Sequence, residues 1–332
     1  MTYSTGNVIL ASDYNGFVGN VSANCINQIW STGSGDSGWG QTALANVSAA
    51  ATVTATQWAT IVTNLITLGN QSNVAITSRT APTAGNTISI LANVQTDINN
   101  ITASRGNAQL SGTEYGTFTG NVSKTAATGS GTQPWTITWT HTITFPDANS
   151  ARYFWNAGGI VRIKYGKSST GTDHDPDWNT LASTWAGSIN ITGRCGNVAA
   201  TIAGQPYTGT TRLGGAGGTQ TTLTTTTGWY QLTSSPVTIF QLNNATAPYQ
   251  PEYIRTTATQ TSSTVLTLVT TWVDDGTSAA GTTSNISGGT ATTSPSTTIT
   301  GTAPTTLVTY IPPSTSYLTN TWGTPTIAAT VA

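Results

Sequence analysis

Hydrophobic positions along the first hundred residues recur at helical spacing. Tyr14, Phe17, Val18, Val21, Cys25, Ile26 and Ile29 form one stripe, which predicts a helix capped at its start by Ser12 or Asp13. Gly16 and Gly19 weaken that helix by about 1 kcal/mol each relative to Ala, so it depends on tertiary packing. Gly33–Gly40 then reads as a tight polar turn. A second helix carries Trp58, Ile61, Val62, Leu65 and Leu68 on one face. Thr54 and Gln57 have the spacing of a capping box, Val53 and Trp58 that of a hydrophobic staple, and Gly69 is a natural C-terminal stop. A third stripe, Ile90, Leu91, Val94, Ile98 and Ile101, predicts a helix over about Thr87–Ser104.

From Gly112 onward the period changes from 3.6 to 2. Trp135, Ile137, Trp139, His141, Ile143 and Phe145 alternate with Thr and predict a half-buried strand. Ala151–Trp155 and Ile160–Tyr165 flank Asn156-Ala157-Gly158-Gly159, which reads as a β-hairpin with Asn156, Gly158 and Gly159 as its turn. A three-residue loop puts Tyr153, Trp155, Val161, Ile163 and Tyr165 on one face but sets Arg152 opposite Arg162, which is unfavourable. A two- or four-residue loop avoids that and mixes the faces, so the register stays open. Asp175-Pro176 is a helix start, with Trp178, Leu181 and Trp185 on one face and Gly187 at the end. Further strands are expected at Ser188–Ile191, Val198–Ile202, Gly228–Leu232, Val237–Leu242, Glu252–Thr257, Val265–Val273 and Thr306–Ile311. Leu213–Thr227 and Asp274–Thr300 are Gly/Thr/Ser-rich and read as long loops.

The expected fold is therefore α+β. A small helical region for docking or oligomerisation, residues 1–110, precedes a larger antiparallel β-sandwich or jelly-roll-like domain, residues 111–332.

Composition narrows the function. Charged residues make up 6% of the 332, against roughly 25% in typical soluble proteins, and the net charge is −1. A chain so poor in Lys and Arg lacks the basic surface that meets nucleic-acid phosphates. Its 11 Trp and 11 Tyr argue against disorder. A weakly charged surface favours self-association, which suits a subunit of an assembly. The start of the sequence has no basic segment followed by an apolar one, so no secretory signal is expected, and no apolar run is long enough to span a membrane. Cys25 and Cys195 read as small buried hydrophobes rather than a disulfide framework.

Candidate chemistry is sparse. His141 lies on the aromatic face of its strand and reads as a core histidine. Asp173, Asp175 and Asp177 match the start of an EF-hand loop, but Trp178 and Thr184 stand where its Gly and Glu belong. A helix N-terminus is the better reading of that cluster, and neither a metal nor a cofactor is expected. Glycan hydrolysis needs two carboxylates flanking one bond. The β region offers Asp147, Asp173, Asp175, Asp177, Glu252, Asp274 and Asp275, and adjacent Asp274 and Asp275 would point to opposite faces of a strand. No catalytic residue is assigned. Among the many aromatics, Trp229, Tyr230 and Trp272 are candidate surface contacts, for sugars or for neighbouring subunits.

Three short stretches carry a resemblance. Arg152-Tyr153-Phe154-Trp155-Asn156-Ala157-Gly158-Gly159 resembles the "RYFFNAGG" signature of a family of tailed-phage virion structural proteins, often labelled tail-fibre-like. Ser12-Asp13-Tyr14-Asn15, then Gly33-Ser34-Gly35-Asp36-Ser37-Gly38-Trp39-Gly40-Gln41, then Val53–Trp58 resemble the N-terminal block of those proteins, in which a "GSGDSGYGQ" turn joins two helices. Trp39 and Trp155 replace a Tyr and a Phe. Gly228-Trp229-Tyr230-Gln231-Leu232-Thr233, followed by Thr238-Ile239-Phe240, is a weaker third match. The resemblance implies a virion structural subunit made in the host cytoplasm, tail-fibre-like or adhesin-like. Its partners would be other virion proteins and other copies of itself, a trimer by analogy with fibres, with a host-surface glycan as candidate receptor. A collar, baseplate or capsid-decoration protein without a receptor role is the alternative, and a polysaccharide-degrading enzyme the third reading.

Overall fold

The computed structural model describes residues 10–19, 24–84, 93–109, 135–168, 174–245, 252–274 and 304–332. The fold is α+β, with helices first and antiparallel sheets after. Helix α1 spans Ala11–Val18 and α2 Ile26–Trp30. The single helix expected from Tyr14 to Ile29 is therefore two. The first stops at Gly19, whose φ of 124° is outside helical space and whose position leaves no room for a Cβ beside Cys25. Helix α3, Ala55–Gln71, buries the predicted stripe, and Thr54 and Gln57 form the predicted capping box. It runs through Gly69 and ends at Ser72, because Gly69 packs closely under Ile76 rather than turning the chain. Helix α4 is Val94–Ala103. Asp97 on α4 is buried and pairs with the equally buried Arg79 at 2.5 Å, and the Thr77 backbone N–H donates to the same carboxylate.

Strand β1, Trp135–Thr144, follows the predicted alternation, with Ile137, Trp139, His141 and Ile143 buried. The next segment differs from expectation. Ala148–Asn156 is a helix, α5, and only Ile160–Gly166 is a strand, β2. The hairpin reading is therefore wrong, and the physical reason is local. Asp147 caps the helix by accepting from the Ser150 backbone N–H at 2.8 Å, and Ala151, Phe154 and Trp155 fall on its buried side. Asn-Ala-Gly-Gly is a helix stop. Gly159 N–H donates to Phe154 O and Gly158 N–H to Trp155 O, the paired bonds of a Schellman motif, with Gly158 at φ 92°. Gly158 thus has the expected positive φ; Gly159 needs to be Gly because a Cβ would lie 2.5 Å from the Phe154 ring.

Short helix α6, His174–Asn179, continues into a π-helical turn, Thr180–Trp185, that buries Trp178 and Leu181 before Gly187 ends it. Strands β3 (Ser188–Ile191), β4 (Ala200–Ile202), β5 (Gln205–Tyr207), β6 (Thr210–Leu213) and β7 (Thr219–Leu223) follow. Then come β8 (Val237–Asn243), β9 (Tyr253–Ser262), β10 (Val265–Asp274), β11 (Thr305–Ile311) and β12 (Thr326–Val331). Two expectations fail here. Leu213–Thr227 contains β7, since its threonines are β-branched and pair with β8. Trp229–Gln231 is a 3-10 turn rather than a strand, and its backbone bonds back to Thr192 and Gly193. Most of the stretch expected as a loop from Asp274, the start of the helix expected from Thr87, and Asp173 and Asp275 lie outside the described residues.

One sheet has the order β12-β1-β10-β9-β8-β7 and a second β11-β2-β3-β6; β4 and β5 form a separate hairpin. The two larger sheets pack face to face. Tyr165 from β2 stacks on Phe240 of β8 with ring centroids 6.0 Å apart, and its hydroxyl meets Thr256 Oγ1 of β9 at 2.8 Å. One hydrophobic core runs from Tyr14 and Trp58 in the helices through Phe154 and Trp155 to Trp272 and Leu268 in the sandwich. Among the described residues no helix is long and apolar enough to cross a membrane.

Candidate functional site

The three motifs meet. The Gly33–Gln41 turn, helix α5 and the Gly228–Gln231 turn are far apart in sequence, with Asn156 lying 118 residues after Gly38 and Tyr230 lying 74 after Asn156, yet their polar groups satisfy one another at a single joint. Arg152, on α5, clasps the first turn. Its Nε donates to Gly35 O at 3.0 Å, and Nη2 donates to Thr32 O and Ser37 O at 2.9 Å each. Asn149, one helical turn earlier, holds Nη1 at 2.9 Å. Carbonyls of a glycine-rich turn point outward in several directions, and a planar cation with five donors can collect them where a Lys could not.

Asn156, at the end of α5, is buried and fully used. Its Nδ2 donates to Gly38 O at 3.0 Å, its own carbonyl accepts from Trp39 Nε1 at 3.0 Å, and its Oδ1 accepts from the Tyr230 hydroxyl at 2.5 Å. The first motif thus supplies two partners, Gly38 and Trp39, and the third supplies one, Tyr230, around this residue of the second. Burial, and secondarily the neighbouring Cys195 thiol, push the Tyr230 hydroxyl far above its usual range, so it is a permanent donor here. Trp155 and Trp229 stack beneath with centroids 5.4 Å apart and planes 14° from parallel. Phe145 and Phe154 close that aromatic cluster.

Asp36 fixes the tip of the turn. Its carboxylate pairs with Arg105 at 2.8 Å, and it accepts a hydrogen bond from the Gly196 backbone N–H. Gln41 fixes the far end, exchanging bonds with the Thr319 backbone at 3.0 and 3.1 Å. Gly40 must be Gly, because a Cβ would sit 2.5 Å from the Tyr153 ring in a backbone at φ 72°.

Trp229 and Trp272, expected as candidate surface contacts, are buried. Trp229 lies in the stack with Trp155, and Trp272 lies between Trp139 and Trp178 in the sandwich interior. Neither presents a face to a ligand, because core packing claims both rings, Trp272 on the inward face of β10 and Trp229 from the 3-10 turn. Tyr230 is half-buried and its hydroxyl points into the joint. Asn156, Gly158 and Gly159 are at the joint itself.

The chemistry-bearing residues are dispersed. His141 is buried in β1, and desolvation lowers its pKa from 6.5 to about 4, so it is neutral at pH 7. Cys25 and Cys195 are free and buried, and burial pushes the Cys195 thiol up to about 12, which keeps it protonated and unreactive. Asp147 caps α5, and the Ser150 bonds that make the cap lower its pKa. Among the described residues no three His, Cys, Asp or Glu side chains gather as a metal site. No family model, no curated protein and no solved structure matches the chain.

Proposed function

We propose that this chain is a structural subunit of a phage particle, tail-fibre-like or adhesin-like, that acts through assembly. The observation that carries the reading is the joint. The residues that resemble the phage family, Gly35 to Gln41, Arg152 to Gly159 and Trp229 to Tyr230, direct their polar groups at one another. An active site keeps a nucleophile, acid or base accessible to substrate. Here Asn156 and the Tyr230 hydroxyl are committed to internal bonds, as suits a joint that orients helices against a sandwich. The low charge of the surface supports the same reading, since subunits that pack against neighbours gain little from mutual repulsion. The place in the particle that fits best is an appendage, with the sandwich loops carrying any host-surface recognition. The experiment is complementation. A phage carrying a stop codon in this gene is grown with and without the chain supplied in trans. Infectious particles that contain the supplied chain support the proposal; unchanged particles in both cases, or release of reducing ends from host envelope polysaccharide by the purified chain, reject it in favour of a dispensable or enzymatic role.

A further inference from the structure

The edge of the six-stranded sheet at β12 is built to pair with another strand, and we infer that its occupant is β12 of a second copy of this chain. Thr138 and Ala332 exchange both backbone hydrogen bonds, at 2.9 and 3.0 Å. In an antiparallel ladder the bonded pairs alternate, so Thr330, Ala328 and Thr326 also direct their N–H and C=O groups at β1. The N–H and C=O groups of Ile327, Ala329 and Val331 therefore point away from the sheet, along an edge that no described strand covers.

The opposite edge of this sheet, β7, and the β11 edge of the second sheet are blunted. Strand β7 has a register shift between Gln220 and Thr222, and Arg212 of neighbouring β6 reaches across to the Gln220 side chain at 3.2 Å. Strand β11 is largely buried. By contrast β12 is regular over six residues, Thr-Ile-Ala-Ala-Thr-Val, with no charge, no bulge and no internal proline. Those are the devices by which proteins ordinarily prevent edge pairing, and their absence marks an interface or a hazard.

A second copy fits because the outward groups are self-complementary. An antiparallel pair centred on Ala329 matches Ile327 with Val331 of the copy, Ala329 with Ala329 and Val331 with Ile327. All three outward positions then exchange both bonds across a two-fold axis. On the solvent face the same register sets Ala328 opposite Thr330 of the copy, two small uncharged side chains at the close spacing of a non-hydrogen-bonded pair. The result is one sheet of twelve strands across two copies. Two six-residue strands bury less than the roughly 1,200 Å² of a standard stable interface, so the contact is weak alone and is reinforced where copies are already held together. In its use, though not in its geometry, this inference rests on the assembly reading. A two-fold contact also means that a trimer would need a different surface.

The test is the association state of the full chain by analytical ultracentrifugation over a concentration series. The wild type is expected to dimerise reversibly. Ala329→Pro removes the central outward N–H, and the double variant Ala328→Lys with Thr330→Lys sets ammonium groups opposite each other across the axis. Each is expected to weaken the dimer at least tenfold. The lysine variant changes only solvent-facing side chains, so it carries the test if the proline variant fails to fold. Thr222→Lys on the opposite edge is expected to leave the dimer unchanged. The pair Ala328→Cys with Thr330→Cys is expected to give a covalent dimer on oxidation. A wild type that stays monomeric up to about 1 mM, a dimer indifferent to the β12 variants, or failure to cross-link overturns the inference. A monomeric chain that is nevertheless built into particles rejects the edge pairing and leaves the assembly reading standing; a dimer absent from particles does the reverse.

Discussion

Replacing Asn156 by Leu tests whether the three-motif joint holds the fold. The substitution keeps size and shape but removes a donor and an acceptor from a buried site. The Gly38 carbonyl loses its bond from Nδ2, and the Tyr230 hydroxyl loses its 2.5 Å acceptor. The bond from Trp39 Nε1 survives, because it goes to the backbone carbonyl of residue 156. Leaving a buried polar group without its partner costs about 1–3 kcal/mol. Two such groups predict a loss of about 3 kcal/mol, allowing for partial relaxation of the Tyr230 hydroxyl towards Gly35 O, 3.4 Å away. Tyr230→Phe removes one donor and is expected to cost about 1 kcal/mol. Because the two substitutions delete one shared bond, the double variant is expected to fall short of their sum by about 1 kcal/mol. The assay is urea unfolding followed by tryptophan fluorescence, read as a shift in midpoint at constant slope. Trp155 and Trp229, stacked at the joint, are among the 11 tryptophans that report the transition. A loss below about 0.5 kcal/mol for Asn156→Leu, which is what ordinary surface substitutions give, would refute the claim that the joint carries the fold.

Other outcomes follow from single residues. The buried His141 titrates near 4 when folded against 6.5 when unfolded, so the unfolded chain takes its proton first as pH falls. Stability from this residue is full above about pH 6.5 and declines towards pH 4 by about 3 kcal/mol in all; His141→Leu should flatten that part of the pH–stability curve, measured by denaturation at stepped pH. Gly158→Val forces a β-branched residue to φ 92° and drives a Cβ into Ala108, so soluble yield should collapse. Gly204→Ala, at φ 80° with open space around it, should cost only about 1 kcal/mol. Thr54→Ala removes the α3 cap and should cost about 1 kcal/mol by thermal or urea unfolding.

How much of this was legible varies by element. Helix α3 was readable because its stripe and its capping box agree. Strands β1, β3, β8 and β10 were readable because β-branched residues alternate with a buried face. Helix α5 was not, because Tyr153, Phe154 and Trp155 are strand formers and outweighed a cap signal that was present: Asp147, with Ser150 three residues on, ahead of Ala151, Phe154 and Trp155 at helical spacing. Strand β12 is not legible because Thr-Ile-Ala-Ala-Thr-Val has little hydrophobic contrast, and it forms by pairing with β1, whose nearest paired residue in sequence, Thr144, lies 182 residues before Thr326. The joint shows the limit most clearly. Each motif stood out as a stretch of sequence, but nothing in local spacing says that Gly38, Asn156 and Tyr230 touch. That depends on the topology carrying α5 back beneath the first turn.

The most direct test of the structural-subunit reading is the copy number of this chain in purified particles, measured by mass spectrometry against isotope-labelled peptides. The reading predicts a fixed number of copies per particle, a multiple of the symmetry of the appendage, retained through gradient purification and salt washing. A chain abundant in the infected-cell lysate but absent from washed particles would contradict it.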